Sequence, residues 1–572
     1  MSPSTKVSRP DRNAPPRMES YEETRRNFRA EVPERFNPVV DIVERWANEE
    51  PDAEALLSID GRGEVMAAHT TAELAREARR AARALQSLGV GKGDSVFIML
   101  PRVPAWYFAM LGAMRIGALP LPGPNLLTPR DIAFRIQRGE AAACVVSAEA
   151  AEKVDAIEEE MPTLRHRIQW SAGGESRPGW HDFDALREEA GDGELPESPT
   201  AADDPLIIFF TSGTVSYPKM VLHTQSYALG HIGTARFWHD LRPGDRHWTV
   251  TDTGWAKAAW GGLFGQWNER ACNVQVKLDR PSADVVLGIL ARHQITSFCA
   301  PPTLYRTLVQ ADLQAYELST LRHCTSAGEP LNPEVIRVWE QGTGLTVYDG
   351  YGQTECTCIV ANFRAVPVRP GSMGRPMPGY DVDVLDGSGN PAPAGEPGDV
   401  AVRVEPERPV GLFVGYHQDP EATAERFRNG WYFTGDRAAR DADGYIWFEG
   451  REDDVITSSA YRIGPFEVES ALVEHPAVVE AGVVGKPDPK RTEIVCAFVI
   501  LAPGHEPSSA LAKELQDHTK QLTAPYKYPR EIHFVREVPK TVSGKIRRTD
   551  LREWLRSGAP PGVELSSTTP TG

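Results

Sequence analysis

The spacing of hydrophobic and polar positions changes along the chain, and the changes outline its elements. Leu74, Ala78, Ala81 and Leu85 recur at helical spacing. Thr70 stands ahead of them with Glu73 three residues on, the arrangement of a capping box, and Gly89 falls where a helix ends in the left-handed region. Ser95-Val96-Phe97-Ile98-Met99-Leu100 then reads as a strand, Ala105 to Gly117 as a second helix, and Leu206-Ile207-Ile208-Phe209-Phe210 as a buried strand. Strand and helix in alternation predict parallel α/β architecture.

The pattern breaks near residue 450, where Gly450-Arg451-Glu452-Asp453-Asp454 is charged and opens on glycine. Beyond it Pro465 suits the first turn of a helix with Val468, Ala471 and Leu472 on one face, and Val478 to Val484 and Ile494 to Leu501 read as strands. The expected plan is a loose polar arm over 1–35, a large multi-subdomain α/β body over 36–450, a small mobile α+β lid over 451–556 and a disordered tail over 557–572. A charged joint between a body and a lid suits closure around a substrate.

Composition narrows the function. The chain has 572 residues, 41% hydrophobic and 25% charged, which is enough for a sizeable core. Its formal charge of −17 excludes a general nucleic-acid binder, so any polyanionic substrate must meet a locally basic site. The seven cysteines form no zinc-type cluster and indicate reduced thiols, hence a cytoplasmic setting. No apolar run reaches membrane-spanning length, and the acidic residues of the first 29 positions argue against a transit peptide. The oligomeric state is left open, a homodimer included.

Five segments carry candidate chemistry. Thr211-Ser212-Gly213-Thr214-Val215-Ser216-Tyr217-Pro218-Lys219 follows a strand and combines hydroxyls, a glycine and a lysine, a turn suited to phosphate although it lacks P-loop spacing. Ser326-Ala327-Gly328-Glu329-Pro330 is a tight turn after an apolar stretch. Tyr348-Asp349-Gly350-Tyr351-Gly352-Gln353-Thr354-Glu355 joins glycines, a hydroxyl and a carboxylate, which suits a nucleotide and Mg²⁺. Asp436 closes Trp431-Tyr432-Phe433-Thr434-Gly435-Asp436, and Lys545 ends Thr541-Val542-Ser543-Gly544-Lys545. Taken singly, each segment reads more readily as an ordinary turn, cap or surface lysine.

All five in this order resemble the adenylate-forming superfamily of acyl-CoA synthetases, peptide-synthetase adenylation domains and luciferase. The likeness runs from about residue 40 to 556. Thr251-Asp252-Thr253-Gly254-Trp255, Tyr351 to Glu355 and Tyr461 to Glu469 draw it nearest to medium-chain acyl-CoA synthetases. The resemblance implies that ATP and a carboxylic acid form an acyl-adenylate and pyrophosphate, after which CoA takes the acyl group and AMP leaves. It implies that Thr211, Ser212, Gly213, Thr214, Ser216 and Lys219 hold the β- and γ-phosphates, and that Thr354 contacts phosphate while Glu355 holds Mg²⁺. Gly328, Glu329 and Pro330 with Asp349, Gly350 and Tyr351 would form the adenine slot, and Asp436 and Arg451 would bind the ribose. Lys545 would reach the α-phosphate and the acid's carboxylate. The lid would pivot at Asp453 and bring the loop of Ala460, Tyr461 and Arg462 to the pantetheine tunnel.

Trp255, Ala256, Ala327 and Gly352 would line the acyl pocket. Acetate-specific relatives carry tryptophan at the position of Gly352, so glycine implies a longer acid. No acidic residue stands out to anchor a substrate amine, which favours an uncharged medium-chain, branched or aryl tail. Val215-Ser216 replaces a hydroxyl and a glycine of the family turn, and Ala460 replaces a glycine at the tunnel. A serine forced to positive φ costs about 1 kcal/mol, so weaker triphosphate binding is expected. Ala460 raises a second reading, an adenylating enzyme whose acceptor is a carrier-protein thiol, an amine or a small inorganic nucleophile. A non-catalytic ATP- or acyl-binding sensor is the reading of another class.

Overall fold

The computed structural model describes residues 9–196, 200–211, 218–278, 282–451, 454–458, 461–540, 545–557 and 566–568. The first strand–helix alternation builds a wholly parallel five-stranded sheet in the order Leu119–Pro122, Ser95–Met99, Ala141–Ser147, His166–Trp170, His181–Asp182. The helix Thr71–Ser87 carries the expected capping box, with Glu73 N–H donating to Thr70 Oγ1 and Thr70 N–H to the Glu73 carboxylate. Gly89 takes φ +77°, as its place after that helix requires. The second helix runs Pro104–Arg115 and is buried on every side, which fits its almost continuous apolar sequence.

The second sheet has nine strands and supplies the floor of the site. Its order is Arg375–Pro376, Cys358–Ala361, Val347–Gly352, His323–Ala327, Ser297–Ala300, Arg246–Thr249, Cys272–Val276, Glu54–Ile59, Val65–Thr70. The strands from Val347–Gly352 through Glu54–Ile59 pair in parallel, and antiparallel strands close both edges. After Arg246–Thr249 the chain adds Cys272–Val276 on one side and every later strand on the other. Such a reversal marks the place, at the carboxyl ends of the parallel strands, where ligands bind in the crevice of open α/β sheets. Pro205–Phe210, Met220–Thr224 and Gly415–Tyr416 make a separate antiparallel sheet.

The arm departs from the expected loose segment from Arg9 onward. Arg9 bonds the Gly244 carbonyl and Glu54, Arg12 the Thr343 carbonyl, Arg17 the Leu241 carbonyl, and Tyr21 Oη the Pro376 carbonyl at 2.8 Å. Met18 and Tyr21 are buried, and Ser20 caps a short helix, Tyr21–Asn27. Anchors this far from their partners in sequence leave no local periodicity.

The lid is a sheet in the order Tyr461–Ile463, Ile456–Ser458, Thr492–Leu501, Glu531–Phe534, Ser566–Thr568, with Val478–Asp488 also on Thr492–Leu501. Pro465–Val473, Ser509–Leu522 and Arg548–Ser557 are its helices. Ser566–Thr568 pairs antiparallel with Glu531–Phe534, so the tail expected to be disordered contributes an edge strand. Body and lid meet where Asn332 Nδ2 donates to Ser470 Oγ at 3.2 Å. They meet again at Gly464, where a Cβ would stand 1.8 Å from the Glu449 carbonyl, so the motif needs glycine there.

Candidate active site

The hydroxyl-rich segment is flanked by the antiparallel pair Pro205–Phe210 and Met220–Thr224. Its two ends are tied, Thr211 N–H to the Lys219 carbonyl at 3.0 Å and Lys219 N–H to Thr211 Oγ1 at 3.2 Å. Ser212, Gly213, Thr214, Val215, Ser216 and Tyr217 lie outside the described residues, and with them the substitutions at 215 and 216. The Lys219 ammonium stands 4.7 Å from the centre of the Tyr416 ring, and the Tyr416 hydroxyl donates to Glu355 Oε1 at 2.8 Å. One short sheet therefore joins the turn's lysine to the expected metal carboxylate. Thr354 is fixed from below: its carbonyl accepts from His223 Nε2 at 2.8 Å, which places the imidazole proton on that nitrogen.

The other residues expected at the nucleotide lie near one another at the ends of these strands. Gly328, at φ +111°, follows Ala327 at the end of its strand, and a Cβ there would meet nothing within 4 Å. Glu329 and Pro330 complete that turn beside Asp349. Burial pushes the Asp349 carboxyl up to about 8, against the backbone N–H groups of Leu331 and Gly350 and the charge of Lys257. Gly350 admits the Trp238 ring, whose atoms a Cβ would approach to 2.5 Å. Asp436 and Arg451 sit opposite each other on paired strands, with Arg451 Nε 3.9 Å from Asp436 Oδ1. Asp436 Oδ2 also accepts from Tyr351 Oη at 2.5 Å and Gln353 Nε2 at 2.6 Å. Burial raises the Asp436 carboxyl, while Arg451, Tyr351, Lys545 and Gln353 hold it down.

The acyl-side residues divide. Ala327 and Gly352 lie together with Trp260, whose ring a Cβ on Gly352 would approach to 2.5 Å. Ala256 instead belongs to the large body core that also holds Tyr107 and Ala259. Trp255 stands at the N-cap of the short helix Ala256–Gly262, and its buried indole N–H has no hydrogen-bond partner among the described residues. Sequence reasoning missed Lys257 and Trp260. Lys257 donates to the Ala327 carbonyl at 2.8 Å, and burial lowers its pKa. A single lysine inside an apolar helix was the available signal for the first. Nothing local marks Trp260 or Tyr416, which matter only through what the fold sets beside them.

The lid completes the group. Lys545 acts on three body residues: it holds down the carboxyls of Glu329 and Asp436, both raised by burial, and it lowers Lys257 further. Tyr461 is exposed and stacks on Tyr526 with ring centres 4.0 Å apart. Arg462 is placed by its backbone in the Ile456–Ser458/Tyr461–Ile463 hairpin. Asp453 and Ala460 lie outside the described residues, and the non-CoA acceptors that Ala460 raised gain no support. The ensemble is a set of ammonium and guanidinium groups facing buried carboxyls in a protein of net negative charge. Such a site can hold a polyphosphate and draw a second anion up to it.

The family model for AMP-binding enzymes matches residues 43–417, and that for the AMP-binding enzyme C-terminal domain matches residues 467–545. The mitochondrial acyl-coenzyme A synthetase ACSM5 of Homo sapiens is 46% identical over 535 residues, which is 91% of each chain. The mitochondrial acyl-coenzyme A synthetase ACSM3 of Mus musculus is 43% identical over 552 residues, 95% of this chain and 94% of its own. Among solved structures, the anthranilate CoA ligase AuaEII in complex with anthranoyl-AMP aligns with a TM-score of 0.83 at 31% identity, over 91% of this chain and 98% of its own. The benzoate CoA ligase of Burkholderia xenovorans LB400 aligns at 0.80 and 30% identity, over 90% and 100%. With both models matched in order over a crevice and a lid of this composition, the chain belongs to the AMP-binding enzyme family.

Proposed function

We propose that this protein is an AMP-forming acid–CoA ligase for an uncharged medium-chain, branched or aryl carboxylic acid. The acid's carboxylate oxygen attacks the α-phosphorus of ATP and pyrophosphate leaves. The CoA thiol, giving up its proton, then attacks the acyl carbon and AMP leaves. The observation that carries the reading is the presence of Lys545, from the lid, in one electrostatic group with Asp436, Glu329 and Lys257 of the body. Two anions must meet in the first step, and a lysine delivered by a closing lid lowers that repulsion only when substrates are in place.

In this reading Thr211 and Lys219 grip the triphosphate, Asp436 and Arg451 take the ribose hydroxyls, and Gly328 to Pro330 face Asp349 to Tyr351 across the adenine. The carboxylate of Glu355 suits Mg²⁺: its described bond is from the neutral Tyr416 hydroxyl, and among the described residues no salt bridge neutralises it. Bound there, the ion would offset charge on the phosphate oxygens. Lys257, dehydrated beside Ala327, faces the acid's side of the crevice. Lys545 serves the first step, and a turn of the lid about position 453 then brings the Tyr461–Arg462 loop to the acceptor. The seven buried free thiols fit a reducing compartment, and a cytoplasmic one is proposed.

A panel of carboxylic acids with pyrophosphate and thioester readouts, with and without CoA, tests the reading. Medium-chain or aryl acids should give pyrophosphate and acyl-CoA in equal amounts. AMP release that requires a non-CoA nucleophile overturns it.

The pocket's depth makes a separate prediction. The space that glycine leaves at 352 is occupied by the Thr357 carbonyl and the edge of Trp260. Trp260→Leu should therefore raise kcat/KM by about tenfold for acids longer than the best wild-type substrate, the scale of one or two accommodated methylenes. Short acids should lose affinity. An unchanged length profile removes Trp260 from the pocket wall.

A further inference from the structure

Glu469 closes the Tyr461-to-Glu469 motif, yet it lies on the helix Pro465–Val473 and points into the lid's interior. Its carboxylate accepts from the Val483 N–H at 2.9 Å, and both oxygens accept from Arg548 Nη2 at 2.7 Å. Arg548 Nε donates in turn to the Val483 carbonyl at 3.2 Å. Its other nitrogen, Nη1, lies 3.7 Å from Asp454 Oδ2, and Arg552 Nη2 bonds Asp454 Oδ1 at 2.7 Å. Arg548 opens the last lid helix and stands three residues after Lys545. The segment between them is short and pinned, with Arg547 N–H on the Pro539 carbonyl at 2.8 Å and Ile546 bridged to Lys540.

One guanidinium thus joins three places: the lid helix through Glu469, the segment just past the expected pivot through Asp454, and the base of the Lys545 loop. A charged hydrogen bond network away from water is stiff because each partner left alone would be costly.

We propose that Arg548 is the positioning residue for Lys545, locking its loop to the pivot-side residue Asp454 and to Glu469, so that Lys545 enters the crevice only as the whole lid turns. This rests on the reading of Lys545 as the lysine of the acid-activating step. Arg548 touches no substrate and acts through Lys545, so its loss should fall on adenylate formation alone.

The test uses the full-length protein and separates the two half-reactions. Acid-dependent pyrophosphate release reports the first, and thioester formation from a supplied acyl-adenylate and CoA reports the second. Arg548→Gln should lower the first by about 20-fold or more and leave the second within about twofold. In a Lys545→Ala background the same change should cost less than about twofold more, because residues acting as one unit are not additive. Glu469→Gln keeps the side chain's shape and should give the same one-sided loss at about fivefold, which carries the test if Arg548→Gln unfolds the lid. Equal loss in both half-reactions, or losses that multiply with Lys545→Ala, overturns the proposal and leaves the role of Lys545 standing. Undiminished pyrophosphate release in Lys545→Ala alone overturns both.

Discussion

Lys545→Ala lowers acid-dependent pyrophosphate release by about 10²- to 10³-fold, the usual cost of removing one preorganised group that meets charge developing in a transition state. It leaves CoA-dependent turnover of a supplied acyl-adenylate close to wild type. The asymmetry follows from geometry. Lys545 arrives from the lid, and the residues whose carboxyls it holds down, Glu329 and Asp436, belong to the nucleotide side of the crevice. A lysine there offsets the repulsion between carboxylate and phosphate as they meet. On the proposed reading the acceptor thiol meets a different lid position, in which Lys545 has withdrawn. Binding of ATP should change little, because Thr211, Lys219 and Asp436 sit in the body and Arg451 ends a strand paired to it. Single-turnover measurement of both halves checks this, and comparable loss in the two would show that Lys545 does not belong to the first step.

The second large effect is a loss of stability in mild acid. His223, His231, His247 and His323 are buried and each imidazole is driven down to about 3, chiefly by burial, while His239 is driven well below its ordinary value by burial and by His247 and His323 beside it. A histidine with a depressed folded pKa costs nothing above the unfolded value near 6.5. Below that value the unfolded chain takes up a proton and the folded chain does not, so stability falls as the pH drops, by up to about 1.4 kcal/mol per pH unit for each group. Asp349 works in the opposite sense. Its carboxyl, raised to about 8, is protonated in the folded chain over the same window, which offsets about one of the five. Asp245, Glu329 and Asp436 are raised as well and trim the slope toward its acid end. The body should therefore melt about 5–10 °C lower at pH 5 than at pH 7, on the scale by which a few kcal/mol moves the midpoint of a large domain. Calorimetry across that range, in buffers of differing ionisation enthalpy, should also register net proton uptake on unfolding. A flat melting temperature, or net proton release, would contradict the neutral assignment of these imidazoles.

The elements were legible where the signal is local. The Thr70–Glu73 capping box, the strand after it and the Pro465 helix all depend on neighbours within a few residues, and they stand where the pattern placed them. The arm was misread because its anchors, Arg9, Arg17 and Tyr21, are single residues whose partners lie more than two hundred positions away or at Glu54. The tail was misread for a similar reason: three polar residues form a strand only because Glu531–Phe534 offers an edge. At the site, the motif residues Thr211, Lys219, Asp349, Glu355, Asp436 and Lys545 could be named in advance. Their partners could not. Tyr416 ties Lys219 to Glu355, and Trp260 fills the space beside Gly352, each from a segment with no motif of its own.

What the sequence determined by itself is the chemistry on offer and the order of its delivery. Hydroxyls with a lysine, then glycine turns, then an aspartate, then a lysine on a separate small unit, are properties of residue type and spacing. Tertiary structure decided which of these groups share a field and how each is charged. Asp349 is a carboxyl raised to about 8 because strands from distant segments shut water away from it. Arg548, near the end of the lid, is a link between its pivot side and Lys545 because Asp454 and Glu469, both from its opening stretch, converge on it. Burial and long-range pairing set those properties, and both arise only when segments remote in sequence are folded against one another.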